Sequence, residues 1–100
     1  MKSFKNKVAA VTGAGSGIGQ ALAIALAKQG CHLALSDISE VGLAKTVELL
    51  APYSVKVTTQ KVDVAKRDEV ATWAKAVVDE HGQVNLIFNN AGVAIGSTAE

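Results

Sequence analysis

The stretch Thr12-Gly13-Ala14-Gly15-Ser16-Gly17-Ile18-Gly19 stands between two apolar segments of different character. Before it, Val8-Ala9-Ala10-Val11 is short and suited to a strand; after it, Gln20-Ala21-Leu22-Ala23-Ile24-Ala25-Leu26-Ala27 reads as a helix. Glycines gathered at a strand-to-helix turn permit positive φ and bring backbone N–H groups close to a ligand. The positive end of the helix dipole faces the same place, and a pyrophosphate is the usual occupant there. Glycines 13, 17 and 19 give the spacing G-x-x-x-G-x-G, with Gly15 additional. Ile18 breaks the G-x-G-x-x-G pattern, and no Gly-Lys-Ser/Thr closes a phosphate loop of the Walker type. A flexible glycine loop with no ligand has a similar composition, so the surrounding alternation has to decide.

Outward from the turn, strand-like and helix-like segments alternate. His32-Leu33-Ala34-Leu35-Ser36 reads as a second strand ending at Asp37. Ser39 is a candidate cap for a helix with Val41, Leu43, Val47 and Leu50 on its apolar face, closed by Pro52. The β-branched run Val55–Val62 predicts a third strand. A helix follows over 66–81, with Val70, Trp73, Ala74, Val77 and Val78 on one side and Gly82 as C-terminal cap. Val84-Asn85-Leu86-Ile87-Phe88 then suits a strand buried on both faces. The order β-α-β-α-β-α-β with short connections predicts an α/β fold, a doubly wound parallel sheet with strand order 3-2-1-4.

Composition narrows the class. Hydrophobic residues make up 49 % and aromatics only 4 %, so the core is expected to be aliphatic. A net charge of +1 supplies no basic footprint for nucleic acid. Lys2, Lys5 and Lys7 ahead of apolar residues imitate a secretory signal, but the glycines with Thr12, Ser16 and Gln20 interrupt any apolar core. No stretch approaches the ~20 apolar residues of a membrane span. A cytoplasmic protein without membrane contact is expected, and the single Cys31 fits a reducing compartment as a small buried hydrophobe. His32 and His81 lack partners at ligand spacing, so no metal site is expected, and His81 suits the dipole at its helix terminus.

Asp37 lies eighteen residues beyond Gly19, at the expected carboxyl end of the second strand. An acidic side chain there can accept from both hydroxyls of an adenosine ribose. Its charge repels a 2′-phosphate, and its neighbours Ser36, Ile38 and Ser39 bring no compensating base. As a bare turn residue or helix cap it would need no ligand. Asp63 admits the same two readings, a turn residue or an acceptor for an exocyclic amine at the ligand-binding edge.

In sum, Thr12 to Gly19, Asp37, Asp63-Val64 and Asn89-Asn90-Ala91-Gly92 resemble, in order and over the whole chain, the short-chain dehydrogenase/reductase family. The resemblance implies a Rossmann-type fold and oxidoreductase activity with a nicotinamide dinucleotide and an alcohol or carbonyl substrate. It implies cofactor contacts from Gly13, Gly15, Ser16, Gly17, Ile18 and Gly19. It further implies them from Asp37 and Ile38, from Asp63 and Val64, and from Asn90, Ala91 and Gly92. With Asp37 in place and Ser16 rather than Arg in the turn, NAD is expected over NADP.

The same resemblance implies catalysis by a Ser and a Tyr-x-x-x-Lys pair, and residues 1–100 hold no such set. Tyr53 precedes Lys56 by three residues, not four, across a helix-to-strand connection. Ser97 and Thr98 have no evident base beside them. The chain is therefore expected to be a single dinucleotide-binding segment, truncated before a catalytic half, that forms homo-oligomers and has no turnover alone. The alternative is a stand-alone nucleotide-binding or regulatory module. A longer reading frame with Tyr-x-x-x-Lys separates the two.

Overall fold

The computed structural model describes residues 4–90. Their elements run β1 (Val8–Thr12), α1 (Gly17–Lys28), β2 (His32–Asp37), α2 (Glu40–Leu50), β3 (Val57–Lys61), α3 (Arg67–His81) and β4 (Leu86–Asn89). The four strands form one parallel sheet in the order β3-β2-β1-β4. This is the order expected from the alternation of elements. The carboxyl ends of β1 and β2 lie side by side, and the chain leaves them in the glycine turn and at Asp37.

The helices divide between the faces. Ala23, Leu26 and Ala27 of α1 and Leu43 and Leu50 of α2 join Ala9, Val11, Leu33 and Leu35 in one buried cluster. Trp73 and Val77 of α3 join Ala10, Ala34 and Val62 in a second cluster on the other face. Small Ala side chains let α1 approach the sheet closely, and alanine is also the strongest helix former. α1 ends in a Schellman arrangement. Gly30, at φ 80, donates its N–H to Ala27 O at 3.0 Å, and Cys31 donates to Leu26 O at 3.1 Å. Ser39 caps α2 by accepting from Gly42 N–H at 3.0 Å, and Gly82 ends α3 in the left-handed region.

Several expectations need correction. α2 does not bury the face marked by Val41 and Val47, which are 76 % and 40 % exposed. Its buried face is Leu43, Thr46 and Leu50, because Thr46 is held inward by hydrogen bonds. Ala74 and Val78 of α3 are likewise exposed, and only Trp73 and Val77 of that helix are buried. β3 is shorter than Val55–Val62, although Val62 is buried beyond its end. β4 begins at Leu86 rather than Val84. Asn85 donates its N–H to Val8 O and accepts from Val8 N–H through its own Oδ1, both at 2.8 Å, so a side chain replaces the ladder there. β4 is not buried on both faces: Leu86 and Phe88 pack on the α1/α2 side, while Ile87 is 74 % exposed. α1 starts at Gly17, earlier than Gln20, so two of the turn glycines lie inside the helix.

Candidate functional site

In the turn between β1 and α1 the amides of Ala14 and Gly15 are bound within the protein, to Ser36 O at 3.0 Å and to Asp37 Oδ2 at 2.8 Å, and the helix start follows them. Gly17 begins the helix at φ 56, in the region that favours glycine. Gly19 is required by space, since a Cβ there would sit 2.0 Å from the Gly13 carbonyl oxygen and 2.8 Å from Asn90 Nδ2. Ser16 precedes the helix without capping it, and the first turn carries no acidic residue. The first helical bond runs from Gln20 N–H to Ser16 O at 3.3 Å, so the amides of Gly17, Ile18 and Gly19 precede the ladder. The positive end of the helix dipole is thus uncompensated by any side chain of its own first turn.

Around this helix start the structure brings together a cleft of about 650 Å³ at the carboxyl edge of the sheet. Gly13, Ser16, Gly17 and Ile18 line it from the turn, Asp37 and Ile38 from the end of β2, Val62, Asp63 and Val64 from beyond β3, and Asn90 from beyond β4. All four sequence segments singled out above converge here. Its volume lies in the range of small-molecule sites, and it sits where open α/β sheets bind ligands. Ile18 and Ile38 expose apolar side chains, 76 % and 59 % respectively, on its rim. Ala91 and Gly92, like Ser97 and Thr98, lie outside the described residues.

Asp37 is held from two sides. Its Oδ2 accepts from Gly15 N–H at 2.8 Å and its Oδ1 from Ser39 N–H at 2.9 Å. A carboxylate has about four acceptor positions, so this arrangement orients the group while leaving capacity toward the cleft. Gly15 itself does not line the cleft and serves the turn from behind. Asp63 makes the turn bonds of its bland reading: Oδ1 accepts from Ala65 N–H at 3.0 Å, and its N–H donates to Glu69 Oε1 at 2.9 Å. Its place on the cleft wall keeps the second reading open. Thr12 joins the two outer segments, donating to Asn89 Oδ1 at 3.1 Å and accepting from Asn90 N–H at 2.9 Å.

Four residues of this site escaped the sequence reading. Val62 floors the cleft, while Gln20, Gly42 and Thr46 brace the turn from the helices. Only Gly42, a glycine inside an otherwise good helix, left a signal in the sequence, because a mid-helix glycine needs a packing reason. A Cβ at position 42 would lie 2.7 Å from the Gly15 carbonyl oxygen.

Among the described residues, no Tyr, Lys or His lines the cleft. Tyr53 packs on the α1/α2 cluster, whereas the Lys56 ammonium donates to the Glu80 carbonyl on the α3 side. They do not form a pair. His81 does not show the raised pKa that a place at its helix end suggested. Burial first, then Lys56, push its pKa below the usual histidine value; Glu80 opposes them, and His32 adds a smaller push downward. Its Nε2 lies 2.8 Å from Thr58 Oγ1 instead. Cys31 is fully buried, and burial raises its thiol pKa. Among the described residues no cluster of His, Cys, Asp and Glu could hold a metal ion, and no helix is long and apolar enough to cross a membrane.

Comparison with known proteins bears on this arrangement. A family profile described as short chain dehydrogenase matches residues 7–100. The putative oxidoreductase SadH of Mycobacterium tuberculosis is 47 % identical over 100 residues, all of this chain but 36 % of that protein. A short-chain dehydrogenase/reductase from Burkholderia phymatum, solved in complex with NAD, matches with a TM-score of 0.82 at 39 % identity, over 87 % of this chain and 31 % of that one. The NADPH-dependent 3-quinuclidinone reductase of Rhodotorula rubra matches with a TM-score of 0.78 at 34 % identity, over 85 % and 32 %. The chain thus spans about a third of the length of the relatives it matches.

Proposed function

The chain belongs to the short-chain dehydrogenase family, and from this premise we propose that residues 4–90 hold the adenosine and pyrophosphate of a nicotinamide dinucleotide for an alcohol- or carbonyl-directed oxidoreductase. When bound, that group exchanges hydride with the substrate. The observation that carries the reading is an uncapped, acid-free helix start facing the oriented Asp37 carboxylate across one cleft. In this reading the amides of Gly17, Ile18 and Gly19 meet the pyrophosphate. Asp37 accepts from the ribose hydroxyls, Ile38 and Val64 flank the adenine, and Asp63 accepts from its amine. Asn90, with Ala91 and Gly92, borders the second ribose. Proton transfer is not assigned to the described residues, because none brings a tyrosine or lysine to the cleft.

NAD rather than NADP is the proposed partner, because Asp37 would face a 2′-phosphate with no Arg or Lys among the described lining residues to offset it. Calorimetric titration of the full chain with both dinucleotides tests this. Asp37→Ala removes a charged acceptor from the ribose, a loss on the order of 1.5–3 kcal/mol, and should weaken NAD binding roughly ten- to a hundredfold. Tighter binding of NADP by the unaltered chain overturns the preference, and binding of neither overturns the reading itself.

A further inference from the structure

Thr46 lies in the middle of α2, 0 % exposed, with three elements meeting at its hydroxyl. Gln20 Nε2, from the first turn of α1, donates to Oγ1 at 3.0 Å. The hydroxyl has a single proton and two acceptors in reach, Ala14 O in the glycine turn at 2.7 Å and Gly42 O on its own helix at 3.2 Å. A threonine inside a helix commonly bonds back to the carbonyl four residues earlier. Here the shorter and buried contact is the long-range one. α2 can come this close because Gly42 packs directly against Gly15.

The peptide between Ala14 and Gly15 is therefore fixed at both ends. Its carbonyl accepts from Thr46, and its N–H donates to Asp37 Oδ2 at 2.8 Å. Rotating that plane would break both bonds together. We infer that Thr46 is a positioning residue for the dinucleotide cleft: by fixing the Ala14–Gly15 peptide it aims the Gly15 N–H at Asp37, and so orients the carboxylate and the turn for their ligand. The role rests on the dinucleotide reading above. It assigns part of the site's geometry to a side chain that does not line the cleft.

The test compares Thr46→Val, which keeps the shape and loses the hydroxyl, with Thr46→Ser, which keeps the hydroxyl, in the full chain. Calorimetry with NAD should show binding weakened about five- to tenfold in the valine variant and held within about twofold in the serine variant. Hydrogen exchange at the Gly15 amide should speed up in the valine variant alone, while the core amides of β1 and β2 keep their protection. In an Asp37→Ala background the valine change should cost no more than about twofold, since both act through one peptide. Unaltered NAD binding and Gly15 exchange in Thr46→Val overturn the inference and leave the dinucleotide reading intact. General loss of protection across α2 and β1 in the valine variant, not restored by serine, overturns it in favour of a purely structural role. An unaltered chain that binds neither dinucleotide overturns the dinucleotide reading, and the role given to Thr46 with it.

Discussion

On the sheet face covered by α1 and α2, Ala9, Val11, Leu33 and Leu35 meet Ala23, Leu26, Leu43 and Leu50, and every one of them is buried. On the face covered by α3, among the described residues, Ala10, Ala34 and Val62 meet buried Trp73 and Val77 and the half-buried Val64, Val70 and Val84, the buried Ser36 hydroxyl has no partner, and Ile87 is 74 % exposed. One sheet thus has a thick aliphatic side and a thin, more polar one. Both helices that touch the glycine turn lie on the thick side. The amides of the proposed pyrophosphate site are held by the better-packed half of the molecule, which suits a site that depends on fixed backbone dipoles.

The largest effect should come from cutting into the thick side. Leu35→Ala removes a fully buried side chain at the centre of that cluster and should destabilise the full chain by about 2–5 kcal/mol. Ile87→Thr, on the thin side, should stay within about 0.5 kcal/mol. Denaturant unfolding of the two variants measures the contrast directly. Equal losses would erase the distinction between the faces.

The open part of the thin side also carries a proposal about association. β4 ends the sheet among the described residues and presents Ile87 beside an unpaired strand edge. Such an edge invites pairing with another chain. Sedimentation velocity of residues 1–100 at rising concentration should show self-association, reduced by Ile87→Lys. A compact monomer throughout, with protected amides in β4, would remove the proposal.

A smaller effect concerns pH, and it too lies on the thin side, at the amino edge of the sheet. The folded chain holds the pKa of His81 below its usual value of 6.5. The unfolded chain then binds the proton more readily, so stability rises with pH across this window. The groups involved are Lys56 and His32, which oppose the protonated ring, and Glu80, which favours it. Stability should therefore fall as pH drops below about 6.5 and be flat above it. His81→Gln should flatten the slope between roughly pH 5 and 7 without altering dinucleotide binding, since the ring lies away from the cleft lining. A slope that survives the substitution assigns the effect to other groups.

The two sides also differed in how far the sequence disclosed them. Strand order and the place of the cleft followed from alternation and glycine spacing, because parallel connections admit few arrangements. Asp37, Asp63, Ile38 and Asn90 were legible as positions, since each lies at a strand's carboxyl end or within two residues beyond it. What they touch was not legible. The turn bonds of Asp63 and the Ala14–Gly15 clamp depend on contacts between elements, such as Thr46 with Ala14, that no local pattern encodes. Helix faces failed where apolar residues outnumbered the buried positions: α2 offers Val41, Leu43, Val47, Leu49 and Leu50, yet only two of them face the core. The apolar run of β4 promised burial on both faces for the same reason, since hydrophobicity records what a residue tolerates and not what covers it.

The smallest effect follows from that failure. Val41 lies in the first turn of α2 and is 76 % exposed, so replacing it removes almost no buried area. Valine is also among the weaker helix formers, because its branched Cβ loses rotamer freedom against the preceding turn. Val41→Gln should leave unfolding stability within about 0.5 kcal/mol, with any change on the stabilising side. Its neighbour Leu43, two positions on and buried against the sheet, should lose about 2–5 kcal/mol as alanine. Paired melts of the two variants therefore test which side of α2 faces the thick core. A loss above about 1 kcal/mol at Val41 would mean that the face of α2 marked by Val41 and Val47 is covered in solution, and would return that helix to the orientation its apolar spacing first suggested.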